Sequence, residues 1–84
     1  MDIRMDEELW ATAMAPQGLL ERWRVTDGAQ VQRGDSIAEV RIEGGLHDIV
    51  APDDGQIVRL ASDGALVEPG TVIARLEARG RAPD

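Results

Sequence analysis

Short alternating runs of apolar and polar positions fill this chain, and glycine or proline interrupts them about every ten residues. Helical spacing fails under that punctuation, whereas strand-length runs survive it. The pattern predicts strands at 19–25, 36–43, 46–51, 56–60 and 71–78. Val40 and Ile42, for example, alternate with Glu39, Arg41 and Glu43. The segment "ELWATAMA" (8–15) is assigned as a further strand, although its Ala and Met residues also suit a helix. Trp10 and Trp23 are the only aromatic residues, so the core must be built from Val, Leu, Ile and Ala. Trp23 is placed in that core and Trp10 against the C-terminal strand.

An internal repeat organises these runs. Under a shift of 36 residues, nine positions of the span 15–40 fall on identical residues in 51–76. Ala15-Pro16 meets Ala51-Pro52, Asp27-Gly28-Ala29 meets Asp63-Gly64-Ala65, and Val31 meets Val67. Gly34 meets Gly70, and Ile37-Ala38 meets Ile73-Ala74. After a one-residue slip, Gly18 matches Gly55, Leu20 matches Ile57 and Arg22 matches Arg59. Ordinary residue usage gives roughly two identities over such a span. Two copies that cannot each bury an apolar face alone must cover one another. The predicted fold is therefore all-β: a flattened β-sandwich, or barrel-sandwich hybrid, of two four-stranded sheets related by a pseudo-twofold axis. Each Asp-Gly supplies a turn that needs positive φ, and each later Gly supplies a second reversal. A single domain spans 1–78, and the tail "RGRAPD" (79–84) reads as disordered.

The repeat maps 37–41 onto 73–77 and 46–51 onto 10–15. The central hairpin is then paired by symmetry with the first and last strands, so hairpin tip and chain termini lie at opposite ends. The tip reads Glu43-Gly44-Gly45. A Gly44-Gly45 loop suits a type I′ turn, which needs positive φ at both positions. That register sets Arg41 against Asp48, Val40 against Ile49 and Ile42 against His47.

Charge and chemistry narrow the function. Sixteen acids against nine bases leave a net charge of −7, which disfavours nucleic acid and anionic membrane surfaces. No apolar run approaches the ~20 residues of a membrane span and no signal segment opens the chain, so a cytoplasmic location is expected. With no cysteine there is neither a disulfide framework nor a thiolate metal site. All nine bases are arginine, and the chain has no lysine. His47 beside Asp48 reads as a surface or half-buried residue. Ser36 and Ser62 have no base in a recognisable arrangement. Asp6-Glu7-Glu8 and Asp53-Asp54 read as solvated turns without calcium-loop spacing. No nucleophile–base pair, metal set or phosphate loop supports an enzyme.

Three segments, "GLLERWRVTDGAQVQRGDSIAEV" (18–40), "IVAPDDGQIVRL" (49–60) and "VEPGTVIARLE" (67–77), resemble the biotinyl/lipoyl-attachment domain family. Trp23, Gly34-Asp35, the "IAEV" strand and the "PG-x-x-IA" ending suit its lipoyl branch better than its biotinyl one. The resemblance implies the fold already derived and a role as a swinging-arm carrier, with lipoate or biotin on a hairpin lysine, in a 2-oxo-acid dehydrogenase or carboxylase-type complex. Lipoyl domains carry Asp-Lys-Ala at the tip and biotinyl domains Met-Lys-Met; here the position of the lysine is Gly44, flanked by Glu43 and Gly45. The expected reading is a domain with no cofactor, no catalytic residue and no metal, acting as a non-catalytic protein-interaction module. A carrier protein of such a complex is the alternative. Cofactor-free lipoyl-like adaptors of efflux pumps insert a long helical hairpin between the halves, where this chain has only a short loop.

Overall fold

A computed structural model describes residues 1–78, and the tail assigned to 79–84 lies outside the described residues. Eight strands form two antiparallel sheets. They are β1 (Asp2–Arg4), β2 (Gly18–Trp23), β3 (Gln30–Val31), β4 (Ser36–Ile42), β5 (Gly45–Val50), β6 (Gly55–Arg59), β7 (Leu66–Val67) and β8 (Val72–Glu77). One sheet has the order β1-β8-β6-β3 and the other β5-β4-β2-β7. Leu20, Val40 and Ile37 of one sheet and Ile57, Ile73 and Leu76 of the other are buried in a single core, with Trp23 at its edge. The aliphatic sandwich expected from the alternation is what forms.

The two halves exchange their turns. The Asp27 carboxylate accepts the Arg59 N–H at 2.8 Å, and the Asp63 carboxylate accepts the Trp23 N–H at 3.1 Å. Gly28 N–H donates to the Ile57 carbonyl and Gly64 N–H to the Leu20 carbonyl, both at 2.7 Å. Donors and acceptors in each pair of bonds differ by 36 or 37 residues, the offsets of the repeat. Gly28 (φ 89°) and Gly64 (φ 84°) take the left-handed conformation that lets each turn fold back onto the opposite half. The Trp23 indole N–H donates to the Ala61 carbonyl at 2.9 Å, and the Arg59 guanidinium lies 5.1 Å from the centre of the ring.

The strand assigned to 8–15 does not form. Asp6 accepts the Glu8 N–H at 2.9 Å and caps a short 3₁₀ helix, Glu7–Trp10. β1 takes the place beside β8, pairing Asp2 with Arg75 and Ile3 with Ala74. Gly70 N–H donates to the Met5 carbonyl at 2.8 Å, as Gly34 N–H donates to the Ala51 carbonyl at 2.9 Å. Met5, not Ala15, is thus the positional twin of Ala51, and both are buried. Ala15-Pro16 matches Ala51-Pro52 in sequence but not in place, and the mapping of 46–51 onto 10–15 is corrected accordingly. Residues 6–17 are a long connection where the other half has only 52–54.

The outer face of the β5-β4-β2-β7 sheet carries an ion network. Glu39 is the only charged residue in the buried set among the described residues. It accepts from Arg22 Nε at 2.8 Å and from Arg24 Nη1 at 2.6 Å. A β-bulge between Leu20 and Arg22 shifts the register at Glu21, whose carboxylate pairs with Arg41 Nε at 2.9 Å.

Candidate functional site: the tip of the β4–β5 hairpin

On β4, Val40 and Ile42 face the core, and on β5 Ile49 does so. Ile42 pairs with Gly45, so the turn is Glu43-Gly44 and not Gly44-Gly45. Val40 therefore faces His47, Ile42 faces Gly45, Arg41 faces Leu46, and Asp48 faces Glu39. The expected Arg41–Asp48 pair is replaced by the pairing of Arg41 with Glu21 on the neighbouring strand. Moving the turn by one residue slides the strands by two, which leaves every side chain on its original face. Alternation alone does not distinguish the two registers.

Positive φ falls on Glu43 (φ 56°), while Gly44 lies outside the left-handed region. The type I′ expectation fails for that reason. A left-handed non-glycine residue needs compensation, and here it comes from the long connection. Glu43 Oε2 accepts the N–H groups of Met14 at 2.6 Å and Ala15 at 2.7 Å. Trp10, expected against the C-terminal strand, lies at Gly18 beside Ile42, next to the hairpin turn. A Cβ added at Gly18 would stand 2.9 Å from Ile42 Cγ1 and 3.4 Å from Trp10 Cζ2. The tip is thus tied down on the side of residues 14–15 and open on the other, where a Cβ added to Gly44 meets nothing within 4 Å.

The remaining candidates fall to local structure. His47 is half-buried opposite Val40. Asp6 caps the 3₁₀ helix, Asp53 accepts the Asp54 N–H, and Asp54 accepts the Arg33 N–H. Among the described residues no group of three His, Cys, Asp or Glu side chains could hold a metal. The Ser62 carbonyl accepts the Ala65 N–H in its turn. The terminal amine of Met1 donates to the Leu76 carbonyl at 3.1 Å in the opposite sheet. The tie between Glu43 and residues 14–15 was not legible in the sequence, since it joins positions 28 and 29 residues apart that no motif links.

Residues 11–76 match the biotin/lipoyl family, described as "Biotin-requiring enzyme". The chain belongs to this family and is a carrier-type domain by fold. It is 33% identical over 60 residues to an acetyl-CoA carboxylase of Dictyostelium discoideum, an alignment covering 71% of this chain and 3% of that protein. Its fold is similar to the solution structure of the lipoyl domain of the 2-oxoglutarate dehydrogenase complex from Azotobacter vinelandii. That likeness has a TM-score of 0.73 at 20% identity and covers 93% of this chain and 99% of the other. No helix among the described residues is long and apolar enough to cross a membrane.

Proposed function

We propose that this chain is a carrier-type domain without a cofactor arm, serving as a non-catalytic protein-interaction module in a 2-oxo-acid dehydrogenase or carboxylase-type assembly. One observation carries the reading: the exposed tip is Glu43-Gly44, and the chain contains no lysine. Attachment of lipoate or biotin joins the acid to an ε-amine through an amide. Gly44 offers no nucleophile, and a guanidinium stays protonated and poorly nucleophilic. The terminal amine of Met1 sits on β8 of the other sheet. These residues do not fit a covalently held cofactor. The net charge of −7 favours a partner with a basic face.

Family membership favours the alternative, a working carrier, and one experiment separates the two. The purified chain is incubated with a lipoate ligase or a biotin ligase and weighed by intact mass spectrometry. No gain is expected with either, and a gain equal to a lipoyl or biotinyl group refutes the proposal. Gly44→Lys is the matched control with an amine at the tip. Its Cβ enters open space at a residue without positive φ, so its stability should stay within about 0.5 kcal/mol of the parent.

A further inference from the structure

We propose that the outer face of the β5-β4-β2-β7 sheet is a self-association surface on which a second copy of this chain docks. Near the hairpin end one row of directly opposed residues crosses all four strands. Leu66 pairs with Leu19, Leu19 with Arg41, and Arg41 with Leu46. Leu66 is 66% exposed and Leu46 48%.

The other sheet provides an internal control. At the positions 36 or 37 residues away, its row reads Gln30–Gln56–Glu77. The same backbone is built there with no leucine in the row, so the fold does not require the leucines. They are an added feature of one face.

Charge identifies the occupant. On this face Arg22, Arg24 and Arg41 balance Glu21, Glu39 and Asp48, whereas the whole chain carries −7. Two copies therefore meet with least repulsion here. The pattern is also self-complementary. Its ion pairs join β2 to β4, Glu21 to Arg41 and Arg22 to Glu39. Consider a twofold axis parallel to the strands and midway between β2 and β4. It lays β2 of one copy over β4 of the other at the same height. Glu21 and Glu39 then each face a guanidinium across the interface as well as beside it, and Leu66 lies over Leu46 of the second copy. Aligned face-to-face packing of twisted sheets, about 10 Å apart, is a standard arrangement, and a twofold contact of this kind closes on itself.

Sedimentation equilibrium over a concentration series tests this proposal separately from the absence of a cofactor, which the ligase assay reads. The apparent mass should rise from 9.1 kDa toward twice that value. L66D and L46D should each weaken association about tenfold or more, since each sets a carboxylate against a leucine of the second copy. E21R and R41E should each weaken it alone, since like charges then oppose across the twofold. Mixing E21R with R41E should restore it, because every opposed pair again joins one guanidinium to one carboxylate. All four positions are exposed or at the rim, and thermal melts check that each variant stays folded. A chain that remains monomeric up to its solubility limit overturns the proposal. So does a dimer indifferent to L66D and L46D, or one that mixing fails to restore.

Discussion

A Cβ at Gly55 would lie 2.5 Å from the Glu77 carbonyl oxygen and 2.9 Å from the Leu76 side chain. The carbonyl cannot retreat without breaking the β6–β8 ladder. Gly55→Ala should cost about 2–3 kcal/mol in urea unfolding, at the upper end of overpacking effects. Gly18→Ala should cost less, because the nearest atom is the Ile42 side chain, at 2.9 Å. Glu43 is the opposite case: a left-handed residue held by what its carboxylate reaches. Glu43→Ala should lose about 1 kcal/mol and should speed amide hydrogen exchange at Met14 and Ala15 well beyond the rest of the chain. Unchanged exchange at those two amides would show that the tie contributes nothing. The sequence shows a glycine at 44, but it did not mark Glu43 as the residue that anchors the tip. The first needs only a residue type at a motif position, and the second a contact between distant segments.

Within the elements, the β2–β4 pair depends on the two arginines that hold the buried Glu39. Removing one should cost about 1 kcal/mol, since each is largely exposed and the other remains. R22A/R24A should cost more than the sum, about 3 kcal/mol, because it leaves a buried carboxylate unpaired. A double-mutant cycle in chemical denaturation measures the difference. Asp48 sits directly opposite Glu39, a like-charge pair, so Asp48→Asn should stabilise by a few tenths of a kcal/mol. Strand positions on β2, β4, β5, β6 and β8 were legible to within a residue or two because the core imposes period two. The register of the hairpin was not, because the two candidate registers bury the same residues. The segment at 8–15 was misread because its composition suits several local structures, and Asp6 decides among them by capping the 3₁₀ helix.

For the molecule as a whole, neither half closes its own sheets. The turn at Asp27-Gly28 is bonded to β6, and the turn at Asp63-Gly64 to β2. Unfolding should therefore be a single transition by every probe. Residues 1–43 alone should show no cooperative melt, being close to the ~40-residue size at which an unsupported core fails. Mixing them with 44–84 should restore the β-sheet circular dichroism signal. A folded isolated half would contradict the exchange of turns.

What the chain determined by itself was the class of fold, its doubling and the lack of an amine at the tip. These follow from local properties: side-chain period, glycine where φ must be positive, and the chemistry of residue types. Only the tertiary structure decided that Met5 is the twin of Ala51, that the turn is Glu43-Gly44, and that one sheet shows leucines where its twin shows glutamines. Those are outcomes of pairing between segments distant in sequence, where several arrangements satisfy the same local pattern and long-range packing selects one.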